Sequence, residues 1–358
     1  MRRLVSLAGR AWRAAEDVRA AARDSGAGVL VTGARAARLR RRGGFAVHEA
    51  SALGLLDRPL TDAPVLASKR RALAAQARVN PPALAEMTEN KEVFAAHCAA
   101  HRLPVPLPLG TIADGSAWPN AGLRREGRDA AGAWLLDPGL PDEFVIKPLR
   151  GYWGVGVRLI SREGRLLRVR GADHPLPPGQ LLDELAGDGS RGGHVVQELL
   201  RNHPDLVDLL GAAALHTTRM ITFAAPGECR VLARYLRASV SSSGIDNFRD
   251  GRTGTIVCPI DSDGVIVAAH RRAATGRGLE DAPLHPVTGR RLVGEVVPAW
   301  EEAEALVRRA AAAFLPVRAI GWDVGITPGG PVLVEANCRW DPPPLAEVVR
   351  AVETLERA

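Results

Sequence analysis

The chain has 358 residues, enough for two or three domains with real cores, and its 46% hydrophobic and 24% charged content belongs to a folded globular protein rather than a disordered one. No apolar run approaches the ~18–20 residues of a membrane span, and the four scattered cysteines (Cys98, Cys229, Cys258, Cys338) lack the CxxC spacing of zinc or redox work, so a reducing cytoplasm is expected. A formal charge of +7 permits an anionic partner without choosing between nucleotide, nucleic acid and membrane.

Residues 1–85 read as a mainly helical N-terminal region. Leu4, Leu7, Ala11, Ala14 and Val18 recur at helical spacing with Arg10 and Arg13 between them, the pattern of an amphipathic helix docked on the body. Val29–Thr32 reads as a short strand-like piece, and the Gly33-Ala34-Arg35 after it lacks the spacing of a dinucleotide fingerprint. Arg35, Arg38, Arg40, Arg41 and Arg42, then Lys69, Arg70 and Arg71, concentrate the positive charge. Such runs are ordinarily solvated helix faces, with nucleic-acid binding the lesser reading. A helix over Glu89–His101 ends at Pro104-Val105-Pro106. His97 and His101 have zinc-compatible spacing, but no carboxylate ligand stands near, and packing and surface positions explain both.

Residues 86–196 alternate short strands with Gly/Pro turns and hold one helix around Gln180–Ala186. The apolar strand Phe144-Val145-Ile146 delivers Lys147, a compact point charge suited to phosphate oxygens. Gly151, Gly154 and Gly156 follow, in a loop leading to a second strand at Val157–Ile160. Glycines let backbone N–H groups approach phosphates closely, though plain turn chemistry also accounts for them. A strand–loop–strand unit is not the P-loop, which runs into a helix.

Residues 197–358 are dominated by strands, beginning with one that starts at Val195. Gln197, Glu198, Leu199 and Leu200 offer an edge able to read adenine through main-chain groups, with Asp205 or Asp208 toward the ribose hydroxyls. An ordinary strand end before a helix is the alternative. Further strands are expected at Thr217–Phe223, Val231–Tyr235 and Thr255–Ile260, then a helix at Trp300–Phe314 whose acidic first turn and later Arg308 and Arg309 complement its dipole. Asp323, Glu335 and Asn337 close the series. If Thr327 pairs with Pro331 across Pro328-Gly329-Gly330, Asp323 falls opposite Glu335, and Asn337 shares that face. Three oxygen donors on one hairpin suit a hard cation such as Mg²⁺; a solvated polar stripe is the plainer account.

In this order, the lysine strand with its glycine loop, the Gln/Glu hinge and the Asp…Glu-x-Asn triplet resemble the ATP-grasp superfamily. A more local resemblance, to the sugar-transfer-associated ATP-grasp domain, rests on Asn90-Lys91, His216-Thr217-Thr218-Arg219, Asn247-Phe248-Arg249-Asp250-Gly251, His285-Pro286-Val287-Thr288-Gly289 and Pro298-Ala299-Trp300. It covers residues from about 40 to 345. The resemblance implies an α+β ATP-grasp fold, two α+β subdomains clasping ATP: residues 86–196 as the small one with a glycine-rich lid, 197–358 as the large catalytic one. It implies ATP and Mg²⁺, with Lys147 and Lys91 on phosphates, Arg219 beside the transferring phosphoryl group, and Asn247 and Arg249 near an acyl phosphate. The activity implied is a carboxylate-amine ligase; phosphotransfer to another acceptor ranks second and a non-catalytic nucleotide binder third. The expected partners are small-molecule substrates, with no nucleic acid and no membrane, and oligomeric state is not readable.

Overall fold

In the computed structural model, which describes residues 2–59, 66–151, 154–189, 192–212, 214–240 and 253–358 with side chains from residue 11 onward, the first periodic stretch forms α1 (Arg2–Ser25). The chain turns at residues 26–28 into α2 (Val29–Gly43) and then α3 (Val47–Ala52). Val29–Thr32 is therefore the first turn of a helix, not a strand. Its β-branched residues favour extension locally, but the Ala/Arg/Leu run behind them favours helix over a longer window. The Thr32 N–H and hydroxyl both return to the Gly28 carbonyl, at 3.0 and 3.3 Å. Ala21, Ala36, Phe45, Ala50, Leu55 and Leu56 form the core of this N-terminal unit.

Next come α4 (Lys69–Val79), a 3-10 turn at Pro82–Leu84, α5 (Glu86–Glu89) and α6 (Lys91–Ala100). The helix expected from Glu89 begins at Lys91 because Asn90 caps it, its Oδ1 accepting from the N–H groups of Glu92 (3.1 Å) and Val93 (3.4 Å). His97 packs as expected: its Nε2 meets the Ala313 carbonyl at 2.9 Å and its ring lies against Phe314.

The middle of the chain supplies β1 (Pro108–Ala113), β2 (Ser116–Pro119), α7 (Arg128–Leu135), β3 (Glu143–Pro148), β4 (Arg158–Glu163), β5 (Leu166–Val169), α8 (Pro178–Gly187) and β6 (His194–Glu198). The strands form an antiparallel sheet in the order β2-β1-β6-β3-β4-β5. Alternation along β3 sends Phe144 and Ile146 into a core with Trp134, Leu135, Leu181 and Leu185 from α7 and α8. It sends Val145 and Lys147 the other way.

The rest comprises α9 (Pro204–Leu210), β7 (Thr217–Ala225), β8 (Glu228–Ala238), β9 (Ile256–Pro259), β10 (His270–Arg272), β11 (Leu279–Asp281), α10 (Trp300–Ala313), β12 (Ala319–Thr327), β13 (Gly330–Asn337) and α11 (Ala346–Arg357). Its sheet runs β11-β10-β9-β8-β7-β12-β13. One face, through Met220, Leu236, Trp322 and Val324, packs with residues of α6, α9 and α10. Fully buried Trp322 and Phe314 anchor that core, each worth about 2–3 kcal/mol of transfer free energy. On the other face Ile221, Ala233 and Tyr235 pack under α4 and α11. Thr217, Arg219, Arg237 and Asp323 on this face border a cleft against the uncovered side of the smaller sheet.

The β12–β13 hairpin differs from expectation in an instructive way. Thr327 pairs with Gly330, so the turn holds two residues, Pro328 and Gly329, and not three. A bulge between the pairs Val324–Leu333 and Asp323–Glu335 absorbs Val334, and this restores Asp323 opposite Glu335. Leu333 thereby goes to the core while Val334 and Glu335 both line the cleft.

Candidate active site

The large sheet lays its polar residues in rows across the strands. Glu335 on β13 opposes Asp323 on β12, which opposes Arg219 on β7, which opposes Tyr235 on β8. A neighbouring row runs Gly325, Thr217, Arg237. Asp323 is held from both: Arg219 binds its carboxylate in bidentate fashion, with Nη2 3.0 Å from Oδ2, and Arg237 Nη2 lies 3.0 Å from the same oxygen. Arg237 is braced by the Thr217 hydroxyl, 3.2 Å from its Nε. Burial works to raise the Asp323 carboxyl, but the two guanidiniums outweigh it and hold it below the usual carboxylate range. Burial likewise opposes charge on Arg219, and Asp323 keeps it protonated.

This close packing depends on Gly321. A Cβ there would stand 3.1 Å from Arg219 Nη1 and 3.1 Å from Trp340 Cδ1, so any side chain would push the guanidinium or the indole aside.

From the smaller sheet, β3 aims Lys147 into the cleft. Burial pushes its ammonium down to about 7, with Lys91 adding repulsion and Glu335 and Asp323 offsetting part of the shift. Lys91 donates to the Gly151 carbonyl at 3.4 Å and stands 3.8 Å from Glu335 Oε1. It thus links the glycine loop to the far sheet. That loop is tied down again where the Lys91 N–H bonds the Leu149 carbonyl at 3.1 Å and Arg150 pairs with Glu86. Gly156 has φ of 77° and presses on Pro148, where a Cβ would come within 2.8 Å of Cγ. It lies outside the cleft lining, whereas Gly151 and Gly154 belong to it.

Val145, Leu159, Val207, Leu215 and Val334 give the cleft an apolar compartment beside Gln197, Glu198, Leu199 and Leu200. The Glu198 N–H donates to the Leu107 carbonyl at 3.0 Å, and its carboxylate accepts from the Leu107 N–H at 2.7 Å. Asp205 and Asp208 are exposed on α9 and are not brought to the cleft; Asp205 pairs with His203 at 3.6 Å. Asn247 and Arg249, like Tyr152 and Trp153 of the lid, lie outside the described residues. Sequence reasoning missed Arg237. Nothing in Leu236-Arg237-Ala238 distinguishes it from Arg234, which pairs with Glu304; only the β7–β8 register shows which of the two faces the cleft.

A family model described as sugar-transfer associated ATP-grasp matches residues 70–348, and the chain belongs to that family. No curated protein matches it. Among solved structures it is similar to an L-amino acid ligase from Bacillus licheniformis (TM-score 0.39, 11% identity, covering 71% of this chain and 41% of that one). It is similar also to D-alanine-D-alanine ligase from Helicobacter pylori (0.42, 9%, 76% and 61%) and to biotin carboxylase from Campylobacter jejuni (0.43, 11%, 78% and 48%). The chain spans 41% of the first of these proteins. The fold is the α+β ATP-grasp fold, preceded by helices.

Such folds imply a divalent cation, and the donor set can be tested for it. Among the described residues no three His, Cys, Asp or Glu side chains come together as ligands, so the set must include the asparagine. The Asn337 Nδ2 is buried without a hydrogen-bond partner, so no neighbour fixes which end of that carboxamide faces the cleft. With oxygen inward, it joins the partly exposed Glu335 and the remaining lone pair of Asp323 Oδ1 as an all-oxygen set. The residues fit. Asp323 is already neutralised by two guanidiniums, however, and Lys91 and a protonated Lys147 make the cleft net positive. That balance suits a cation carried in by phosphate oxygens better than a bare one.

Proposed function

We propose that the cleft binds Mg-ATP and that the protein is an ATP-dependent carboxylate-amine ligase, forming an amide or related acyl bond through an acyl phosphate and releasing ADP and phosphate. The observation that carries this reading is one cleft in which Lys147 and Lys91 face the Arg219–Asp323–Arg237 cluster, with Glu335 and Asn337 beside it. Glu335, Asn337 and Asp323 would hold Mg²⁺, whose charge offsets that of the phosphates. The apolar walls Val145, Leu159, Val207 and Leu215 flank the base, and the main chain at 198–200 reads its edge. Lys147 and Lys91 bind phosphate oxygens. Arg219 and Arg237 stand where the transferring group and the carboxylate meet, and Asn247 and Arg249 are the expected further contacts.

In the first step a carboxylate oxygen attacks the γ-phosphorus and the bond to the β-phosphate oxygen breaks, releasing ADP. An amine nitrogen then attacks the acyl carbon, phosphate leaves with the electrons of the carbon–oxygen bond, and the nitrogen loses a proton. Phosphoryl transfer asks for positioning and charge neutralisation rather than a protein nucleophile, which this cleft supplies.

The test is Mg-ATP turnover with pooled amino, hydroxy and sugar acids, with and without hydroxylamine, scored for ADP, AMP and hydroxamate. ADP with hydroxamate supports the ligase. ADP without hydroxamate moves the reading to a phosphotransferase. ATP binding with neither product leaves a nucleotide-holding protein.

A further inference from the structure

Helix α2 has a face that its own fold does not use. Thr32 and Ala36 are buried and Leu39 packs against the core of the N-terminal unit, while Gly33 faces Val18 of α1, whose Cγ1 an added Cβ would meet at 4.0 Å. Arg35 also turns inward, donating to the Leu56 carbonyl at 3.2 Å. The opposite side repeats at helical spacing as Leu30, Ala34, Ala37, Arg38 and Arg41, all exposed, with Val31 and Arg42 at its margin. Leu30 is 90% exposed and Val31 52%. The helix contains five arginines and no acidic residue. Among the described residues Arg38, Arg41 and Arg42 have no acidic partner.

A solvated face would be polar along its whole length. This one is apolar at its N-terminal end and cationic at its C-terminal end. A nucleic-acid backbone would answer the arginines and leave the leucine and valine in water. One convex helix face also offers little of the ~800 Å² per partner that a specific protein interface buries. An anionic bilayer surface answers both halves, since apolar side chains enter the headgroup–acyl boundary while guanidiniums meet lipid phosphates. Trp12 on α1 is 60% exposed and, with Gly33 facing Val18 across the hairpin, lies level with the arginine end. Tryptophan is the residue type enriched at that depth.

We propose that the α1–α2 hairpin docks the protein peripherally on an anionic lipid surface through Leu30, Val31, Arg38, Arg41 and Arg42, without crossing the bilayer. The hairpin is fastened to the large sheet's outer loops: Arg277 binds Asp24 and lies 3.4 Å from Asp57, and the Gly278 N–H donates to the Ala52 carbonyl at 2.9 Å. The expectation of no membrane partner rested on apolar run length and on α1 alone. The proposal departs from that expectation on the exposed face of α2, independently of the ligase reading.

The experiment is co-sedimentation of the full chain with vesicles of phosphatidylcholine alone, or of phosphatidylcholine and phosphatidylglycerol in equal parts, at low and high salt. Binding is expected only to the mixed vesicles and should be lost at high salt. Each of Arg38→Ala, Arg41→Ala and Arg42→Ala should weaken partitioning roughly fivefold, and Leu30→Asp roughly tenfold or more. These residues are exposed, so circular dichroism should report an unchanged fold. The proposal is overturned by equal pelleting with neutral vesicles, by no pelleting at all, or by variants that bind like the parent. Capture of duplex DNA in place of mixed vesicles would assign the face to nucleic acid instead.

Discussion

Asp323 and Lys147 are both charges held inside a protein, and the chain treats them differently. Asp323 is flanked by two guanidiniums and stays ionised; Lys147 has no such partner and gives up part of its charge. An opposite pair of pH slopes follows. Below about 7 Lys147 is an ammonium, so nucleotide binding should be tightest there and weaken as pH rises through 7. In the unfolded chain the lysine stays protonated toward its ordinary value, so the ligand-free fold should gain stability over the same rise, from about 7 toward 10. Titration calorimetry and denaturant midpoints at several pH values measure both; parallel slopes would remove Lys147 from the phosphate site. Glu335→Gln should lower Mg-dependent turnover at least about 100-fold with an unchanged thermal midpoint, and unaltered turnover would sink the metal assignment. For Arg237→Met, Asp323 keeps one partner, so a stability loss of about 1–3 kcal/mol should accompany a KM for the carboxylate that rises more than that for ATP. Equal changes in both would make Arg237 merely structural. Lys147 was legible in the sequence because a cation inside an apolar strand before three glycines is unusual. Arg237 was not, because alternation assigns a face only once the register with β7 is known.

At the scale of elements, the β12–β13 hairpin was placed correctly by a partly mistaken route. The sequence puts Asp323 opposite Glu335 only if Thr327 pairs with Pro331; that condition fails, yet the pairing holds through a shorter turn and a compensating bulge. Local patterning cannot choose between these solutions, since the choice depends on whether Leu333 or Val334 fills the core beneath α10. Helix α2 shows the converse: Val29–Thr32 carries strand propensity but, among the described residues, meets no strand to pair with. Gly321 is a test of how tightly the central row is packed. Gly321→Val should cost about 1–3 kcal/mol as an overpacking change and weaken nucleotide binding by displacing Arg219, read by denaturant melts and calorimetry. A variant with parental affinity would show that the guanidinium has room to spare.

Over the whole molecule, most strands were readable from periodicity and their grouping into two subdomains was implied only by the resemblance, while the strand order within each sheet and the way the N-terminal helices attach were legible in neither. The attachment depends on Arg277, in a loop without a motif more than 200 positions along the chain, meeting Asp24 and Asp57. Arg277→Ala should release that unit, costing about 1–2 kcal/mol because one partner is largely solvated. Limited proteolysis should then cut between α3 and α4 sooner while ATP turnover persists. An unchanged digestion pattern would mean that the apolar core and the Gly278–Ala52 bond suffice. The bulge at Val334 bears on the molecule in another way. It is a surplus residue, since removing it would leave Leu333 facing the core and Glu335 still opposite Asp323, with only the cleft wall altered. The hairpin therefore separates length from chemistry: a one-codon deletion at 334 reshapes the chamber while the acidic pair keeps its partner, giving descendants of this gene an indel by which to change what fits without changing what reacts.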